Sequence, residues 1–224
     1  MSHEQGEKFP IEEIQALSPK IYYCNIKKYK HYEKVLTNLP QCSQIITRGE
    51  HVPDPDSTLS AFTNSGIDGK DKWTDSAISC MVTVLFGQTK DNNYLSLLTH
   101  MTPDTLSNMS SYDKYSNLVA DFALRTLHHQ SAILTGGNDD SMYAPGGYVS
   151  NARIFDRIHR KILGITTEAL YPPKLKNYGF SDIYVSTAAK TLYVIGVGHE
   201  NTSEPMRTIT PDQLWQSPFK WPDR

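Results

Sequence analysis

Two short apolar runs separated by a turn-like segment constrain this chain most. Residues 81–86 (Met-Val-Thr-Val-Leu-Phe) alternate with a period near two, residues 94–99 (Tyr-Leu-Ser-Leu-Leu-Thr) are again strand-like, and residues 87–93 have turn composition. The pattern predicts an antiparallel β-hairpin. In such a hairpin the residue just before the first strand and the residue just after the second lie at the same end of the pair. Because Cys80 and His100 occupy these two positions, we expect their side chains to be within reach of each other.

A cysteine and a histidine placed together can act as a nucleophile and its base. A free thiol has a pKa of about 8.5, so only a few per cent of it is thiolate at neutral pH. A neighbouring imidazole can take the thiol proton, hold the thiolate as an ion pair, and later return a proton to a leaving amine or ammonia. We therefore predict that Cys80 is a catalytic nucleophile and His100 its general base. The alternative is a buried structural cysteine and a satisfied strand-end histidine.

Composition and charge exclude several classes of partner. The 224 residues carry a formal net charge of −2 and no long basic stretch, so neither a nucleic-acid groove nor an anionic membrane surface is predicted. No apolar stretch approaches the roughly 18 residues that a membrane span needs, and the polar first residues predict no classical secretion signal. An ordinary soluble globular protein is expected.

The cysteines indicate the compartment. Cys24, Cys42 and Cys80 are odd in number and widely spaced, which predicts free thiols in a reducing environment. That environment is either the cytoplasm or a host cytosol that the protein reaches by a non-classical secretion route.

A metal site built from histidines is not expected. His128 and His129 are adjacent and would point to different faces of a predicted helix, and neither forms a His-x3-His spacing with His100 or His159. No Cys-x2-Cys spacing occurs either. We therefore expect no metal and no other cofactor.

The chain divides into three predicted regions. Residues 1–69 are predicted to be an N-terminal helical segment followed by a long loop. Residues 70–197 form the predicted core that carries the cysteine and the histidine. Residues 198–224 form a polar, proline-bearing tail that is expected to pack on the core, with Trp215, Phe219 and Trp221 as its anchors.

The N-terminal region contains two short predicted helices and a long connection. The helices are predicted over residues 10–17 and 29–39. Residues 48–73 are rich in Gly, Pro, Asp, Ser and Asn, as is typical of a loop. Since connections of this length are uncommon without a role, this one is expected either to form one wall of a cleft or to be a variable surface excursion.

Two amphipathic helices and several strands are predicted after the hairpin. Apolar residues recur at helical spacing over residues 115–129 and 151–163, with Gly164 as the stop of the second helix. Shorter apolar runs predict strands over residues 131–135, 165–170, 181–185 and 191–195. We therefore predict an α/β (α+β) fold, a layered sandwich in which mainly antiparallel sheet is covered by two main helices.

Three motifs match a known family in the order of these elements. Thr74 stands six positions before Cys80, in a stretch ending Ile-Ser-Cys where the family has a Gly-Ser-Cys-like ending. His100 comes twenty positions after Cys80 and shortly before Pro103, where the family has a histidine shortly before a proline. Residues 134–137 (Leu-Thr-Gly-Gly) match an apolar strand that ends in two glycines. On these motifs the chain resembles the chemoreceptor glutamine deamidases and the related cytotoxic necrotizing factor-type toxins, a superfamily of cysteine amidohydrolases.

The N-terminal asparagine amidohydrolases are similar over the same stretch. Residues 75–80 (Asp-Ser-Ala-Ile-Ser-Cys) resemble their acidic, small-residue approach to the cysteine. Residues 98–100 match their Leu-Thr-His, and residues 136–140 their Gly-Gly followed by acidic residues. The resemblance covers residues 70–197 and leaves residues 1–69 outside it.

The resemblance implies a layered α/β/β sandwich and a cysteine-dependent protein deamidase. Such an enzyme hydrolyses a side-chain amide, Gln to Glu or less commonly Asn to Asp, through a thioester. Cys80 would attack the amide carbon, and His100 would accept and return the proton. Thr74, matched to the family's threonine, would hold the free ring nitrogen of His100 and select its tautomer.

Substrate-binding groups are expected around the same hairpin. Backbone N–H groups near Ser79 and Cys80 would form the oxyanion hole that acyl transfer requires. Gly136 and Gly137 would let the chain pass close to the substrate, or would only turn the strand.

Other functions stay open beside this one. An N-terminal asparagine amidohydrolase would use the same residues, and a transglutaminase would pass the thioester to an amine instead of water. A catalytically inactive module could keep the scaffold and bind a protein through a surface rich in its thirteen tyrosines. The partner expected for the enzyme is a protein that bears the target Gln or Asn, with a bacterial effector as one setting.

Overall fold

The computed structural model describes ten segments of the chain. These segments are residues 11–14, 19–26, 32–39, 42–55, 62–77, 80–102, 105–136, 148–171, 180–197 and 207–218. Their helices are α1 (Tyr32–Asn38), α2 (Cys42–Arg48), α3 (Met109–Arg125), α4 (Tyr148–Leu163) and α5 (Pro211–Trp215). Their strands are β1 (Ile11–Ile14), β2 (Lys20–Ile26), β3 (Glu50–His51), β4 (Phe62–Asn64), β5 (Lys72–Ala77), β6 (Met81–Gln88), β7 (Tyr94–Met101), β8 (His128–Gly136), β9 (Thr167–Tyr171), β10 (Phe180–Ser186), β11 (Thr191–Val197) and β12 (Arg207–Ile209).

The strands of the described segments form two six-stranded sheets. The first sheet has the order β1-β2-β11-β10-β5-β3, and the second has the order β12-β9-β8-β6-β7-β4. The β11–β2, β3–β5 and β8–β9 pairs are parallel, whereas the other neighbours are antiparallel. The predicted α+β fold with mainly antiparallel sheet is confirmed.

Three apolar layers hold the sheets and helices together. Aliphatic side chains of both sheets, such as Val84 and Ile183, are fully buried against each other in the interior. Helices α3 and α4 cover the outer face of the second sheet, where Phe122 is fully buried. Helices α1 and α2 cover the outer face of the first sheet, where Ile45 is fully buried. Each such side chain contributes about 1.5–3 kcal/mol, so the interior layer strongly fixes one sheet against the other.

The hairpin that the sequence predicts is present and is longer than predicted. β6 and β7 pair antiparallel, with Met81 opposite Met101 and Val82 opposite His100. His100 therefore lies within β7, and not just after it. β6 and β7 each have a strand on either side in their sheet, and most of their residues are buried because the helices cover one face of this sheet and the first sheet covers the other.

The two main helices are confirmed, but one of them is shifted along the chain. α3 begins after Asn108, whose side chain accepts a hydrogen bond from the Ser110 N–H, and it ends at Arg125. The prediction that this helix continues to His129 is wrong, because residues 128–136 pair with β6 as β8. α4 ends before Gly164, as predicted, and that glycine has φ +70°.

The prediction for the N-terminal region is partly wrong. α1 lies within the predicted helix over 29–39, but residues 11–14 of the predicted helix over 10–17 form β1. β1 pairs with β2, and β2 lies parallel to β11. Backbone pairing with a neighbouring strand outweighs a weak local helical pattern of this length. The region therefore extends the first sheet, and α1 and α2 add a helical layer to the α/β/β arrangement that the resemblance implied.

The C-terminal region packs on the second sheet. β12 pairs with β9, and Ile209 and Leu214 are fully buried. The Trp215 indole N–H donates to the Asp156 carboxylate of α4 at 2.5 Å. Phe219 and Trp221, the other aromatic residues expected to anchor the tail, lie outside the described residues.

Candidate active site

Cys80 lies where the chain passes from one sheet to the other. β5 ends at Ala77 in the first sheet, and β6 begins at Met81 in the second. The Cys80 side chain is half-buried, whereas Cys24 and Cys42 are buried in the layer beneath α1 and α2. Of the three thiols, Cys80 is therefore the one that a solute can reach.

His100 belongs to the second sheet but is held by a residue of the first. It shares the inter-sheet face with its ladder neighbour Val82, and its side chain is fully buried. The hydroxyl of the equally buried Thr74, on β5, lies 2.7 Å from His100 Nδ1. His100 Nε2, although buried, has no hydrogen-bond partner of good geometry in the described part of the chain. The structure thus places Thr74 where its predicted role requires it.

Asp54 completes a group of three side chains at this end of the sandwich, which we call the edge cluster: Asp54, Cys80 and His100. Asp54 Oδ1 lies 3.2 Å from His100 Nε2 and 3.7 Å from Cys80 Sγ. The sulfur, a ring nitrogen and the carboxylate oxygen all lie within 4.8 Å of one another. The Asp54 side chain is 55% exposed. An incoming group can therefore approach the sulfur from the side of the carboxylate.

Two hydrogen bonds fix the segment that carries Asp54. The Val52 N–H donates to the Trp73 carbonyl at 2.8 Å, which continues the parallel pairing of β3 with β5. The Thr63 hydroxyl, on β4, donates to the Pro53 carbonyl at 2.5 Å. One bond ties the segment to the first sheet and the other ties it to the second. The long connection thus brings Asp54, a residue that we did not predict as part of the site, next to His100 and Cys80, as the first of the two alternatives for this connection requires.

A β-bulge in β5 lies next to Thr74. The register between β5 and β10 shifts opposite Asp182, and Ser76 has φ 58°. The buried Asp182 carboxylate accepts a hydrogen bond from the Ser76 N–H at 2.9 Å, and burial raises the pKa of Asp182 to about 7. A side chain of the neighbouring strand thus secures the bulge two residues from Thr74.

Gly136 lets β8 pass close to the backbone of Cys80. It pairs with Met81 and has φ +93°, a region that residues with a side chain rarely adopt. A Cβ atom at this position would lie 2.6 Å from the Cys80 carbonyl oxygen. Gly136 therefore has a structural reason to be glycine, namely its close approach to the Cys80 backbone. Ser79 and Gly137, the other predicted substrate-binding residues, lie outside the described residues.

The protonation of the pair is set by burial and by Asp54. Burial and the Asp54 carboxylate raise the pKa of the Cys80 thiol to about 12. Burial lowers the pKa of His100 below 6.5 and outweighs the opposite effect of Asp54. At neutral pH the resting pair is therefore a thiol and a neutral imidazole, and not the thiolate–imidazolium pair that the sequence led us to expect. Proton transfer must accompany the attack of the sulfur.

We expect Thr74→Val to reduce kcat/KM by about 10- to 100-fold, because His100 would lose the group that orients its ring. Valine has nearly the same shape but no hydroxyl. The acid limb of the pH–rate profile should also shift, which a purely structural role would not cause. Thr74→Ser keeps the hydroxyl and should restore most of the activity. Equal activity of the valine and serine variants would contradict the role of the hydroxyl.

His159 and His128, two of the histidines considered for a metal site, do not join the edge cluster. His159 Nε2 lies 2.7 Å from the Tyr115 hydroxyl, and its Nδ1 lies 2.7 Å from the Thr167 hydroxyl, so both ring nitrogens are engaged. His128 is exposed on β8. Within the described segments, the edge cluster is the group of side chains with the ligand types and spacing that could hold a metal ion.

The comparisons with known proteins add no assignment to this geometry. No helix in the described residues is long and apolar enough to cross a membrane. Neither the protein-family models nor the curated proteins give a match to the chain. The resemblance to cysteine amidohydrolases thus stays a prediction.

Proposed function

We propose that this protein is a cysteine-dependent protein deamidase, which hydrolyses a side-chain amide of Gln, or less commonly Asn, through a thioester. One observation carries the proposal. A reachable thiol lies beside a buried imidazole, and a buried hydroxyl lies 2.7 Å from the far nitrogen of that imidazole. A nucleophile, its base and a group that orients the base are the parts that nucleophilic acyl transfer needs. The partner is then a protein that bears the target carboxamide.

The reaction follows from the neutral resting pair. Cys80 Sγ attacks the amide carbon while its proton passes to His100 Nε2, and the imidazolium then protonates the departing nitrogen, which leaves as ammonia. A thioester to Cys80 remains. Water attacks it, His100 Nε2 takes a proton from the water, and the sulfur leaves as the carboxylic acid forms and recovers its proton. In this scheme Nδ1–H donates to the Thr74 hydroxyl, which keeps the Nε2 lone pair free.

The direction in which the pKa of His100 is shifted predicts the pH dependence of this reaction. His100 must be neutral to act as a base, and its pKa lies below 6.5. kcat/KM should therefore be constant around pH 7 and should fall as the pH drops below 6.5 through the pKa of His100. Because the Asp54 carboxylate raises that pKa, the Asp54→Asn variant should have its acid limb at a lower pH. A limb that stays in place, or moves to a higher pH, would contradict this assignment of the base.

Asp54 favours a second candidate function, that of an N-terminal asparagine amidohydrolase. In an N-terminal Asn the α-ammonium group is three bonds from the amide carbon. When Cys80 attacks that carbon, the ammonium comes within reach of a carboxylate oxygen that lies 3.7 Å from the sulfur. A half-exposed carboxylate can pair with such a cation.

A set of matched peptides tests both candidates. One peptide carries an internal Gln, one begins with Asn, and one begins with N-acetylated Asn; ammonia release and the mass of the product are measured for each. A deamidase of internal residues acts on the first, whereas an N-terminal amidohydrolase acts on the second and not on the third. A product joined to an added amine identifies transglutamination. If no peptide and no protein of a candidate cell lysate is converted, the inactive binding module is the better description.

Cysteine labelling alone is not enough to establish activity. Burial raises the pKa of Cys24 to about 11 and of Cys42 to about 12, and burial with Asp54 raises that of Cys80 to about 12. Faster alkylation of Cys80 would therefore report its accessibility rather than an activated thiolate. Three free cysteines agree with a reducing compartment, and we propose a cytoplasmic location or delivery into a host cytosol.

A further inference from the structure

We infer that the edge cluster also binds one thiophilic divalent cation, for which Zn²⁺ has the best fit. The donor set consists of one thiol, one imidazole and one carboxylate, all of which are ligands that zinc accepts in proteins. Three protein ligands would leave a fourth tetrahedral position, which a water molecule could take.

Both separations that involve Asp54 Oδ1 match a tetrahedral site before any ion is bound. With Zn–N and Zn–O distances near 2.0–2.2 Å and Zn–S near 2.3 Å, tetrahedral angles place nitrogen and oxygen about 3.3 Å apart, and sulfur and oxygen about 3.6 Å apart. The corresponding distances are 3.2 Å from His100 Nε2 to Asp54 Oδ1 and 3.7 Å from Cys80 Sγ to Asp54 Oδ1. These two pairs of ligand atoms therefore need little rearrangement, and the sulfur and the ring nitrogen already lie within 4.8 Å of each other.

The contact that His100 makes through Nδ1 leaves its other ring nitrogen, Nε2, in position to bind a metal. Zinc-bound histidines almost always engage the other ring nitrogen in a hydrogen bond that fixes the ring. Here the Thr74 hydroxyl lies 2.7 Å from Nδ1, and Nε2 is buried, directed at Asp54 and without a hydrogen-bond partner of good geometry among the residues that the structure describes. In native proteins a buried polar atom usually has a hydrogen-bond partner. Where protein groups are lacking, water or an ion takes that place.

The position of Asp54 also makes sense when a cation is present. A carboxylate 3.7 Å from a sulfur that has to become negative opposes that change. On binding, the Cys80 thiol releases its proton to solvent and the thiolate bonds to the ion, so that thiolate and carboxylate together balance the 2+ charge.

An ion in the edge cluster would occupy both the nucleophile and its base. Zinc should therefore inhibit amide hydrolysis reversibly, and a chelator should restore it; this consequence rests on the proposed function, whereas the binding itself does not. The metal would act as a switch that keeps the thiol unreactive and protected until the ion is removed.

The test uses the metal-free full-length protein with a non-thiol reductant. Zn²⁺ is titrated against a competing chromogenic chelator, and Co²⁺ is used as a spectroscopic probe, because a thiolate ligand gives a near-ultraviolet charge-transfer band. We expect one equivalent to bind. Cys80→Ser should remove the charge-transfer band and weaken zinc binding at least about 100-fold, and Asp54→Asn should weaken it at least about 10-fold. Asp75→Asn is the control, because it removes a nearby carboxylate, 3.5 Å from His51, that is not a ligand.

The outcomes separate this inference from the proposed function. Absence of stoichiometric binding, or binding that Cys80→Ser and Asp54→Asn leave unchanged, overturns the metal site. Equal weakening by Asp75→Asn and Asp54→Asn overturns it as well, since general charge attraction would then explain the result. Zinc binding at the edge cluster of a protein without amidase activity would refute the deamidase alone. An active deamidase that takes up no zinc would refute the metal site alone.

Discussion

Cys80→Ala and His100→Ala are each expected to reduce amide hydrolysis by at least about 10⁴-fold, and the double variant is expected to be no worse than either single one. Without the sulfur no thioester forms. Without the imidazole the thiol, with a pKa of about 12, loses the general base that takes its proton at neutral pH. Residues that act as one unit show this lack of additivity. Ammonia release at saturating substrate, compared with the uncatalysed rate, gives the measurement.

Two matched variants show whether the loss is specific. Cys24→Ala removes a thiol beneath α1 and α2, and His128→Ala removes an exposed imidazole from β8, so both should retain full activity. Far-UV circular dichroism and thermal unfolding establish that each variant is folded. If Cys80→Ala kept more than a few per cent of the wild-type rate, the covalent mechanism would have to be abandoned.

Gly136→Ala is expected to lower the free energy of unfolding by about 2–4 kcal/mol and to reduce activity with it. A residue with a side chain at φ +93° is strained by about 1–3 kcal/mol. In addition, the new Cβ would lie 2.6 Å from the Cys80 carbonyl oxygen, a backbone atom that cannot rotate away. β8 must then move away from Cys80, or Cys80 must move away from His100 and Asp54. Urea unfolding and kcat/KM of the folded protein measure the two effects.

Gly164→Ala is the control for this experiment. Gly164 also has positive φ, +70°, but a Cβ there would meet nothing within 4 Å. It should therefore show conformational strain of about 1 kcal/mol and no loss of activity. If Gly136→Ala lowered the free energy of unfolding and the activity no more than Gly164→Ala does, the close approach of β8 to Cys80 would not matter for the site.

The hairpin with its cysteine and histidine could be predicted because the signal is local. β6 and β7 are rich in β-branched and apolar residues, and the turn between them is short and polar. Antiparallel geometry then decides which residues share an end of the pair. The position of Thr74 relative to His100 came from the resemblance, since residues on different sheets leave no common local pattern.

Asp54 could not be predicted as a member of the site for a related reason. It lies 26 residues from Cys80, in a stretch whose composition indicates only a loop. Its place is determined by the pairing of β3 with β5 and by the hydrogen bond from Thr63 to Pro53, both of which are non-local. For the same reason the protonation state of Cys80 could not be predicted. The sequence suggested a thiolate, whereas the Asp54 carboxylate disfavours that form.

The N-terminal strands show the limit of short patterns. Residues 11–14 (Ile-Glu-Glu-Ile) fit one helical turn as well as they fit a strand, and a segment this short has no helical stability of its own. The neighbouring β2 decides the outcome. Its tyrosine-rich sequence, residues 20–26, with alternate residues Ile21 and Tyr23 buried, contained a strand signal that our prediction did not use.

Because the chain passes from one sheet to the other at Cys80, the distances within this site depend on the relative position of the two sheets. The His100 imidazole belongs to the second sheet, and the Thr74 hydroxyl that orients it belongs to the first. The Cys80 sulfur lies on the connection between the two sheets. Hydrostatic pressure, or trimming of side chains deep in the shared interior, should therefore change turnover well before the protein unfolds, at positions that never touch a substrate.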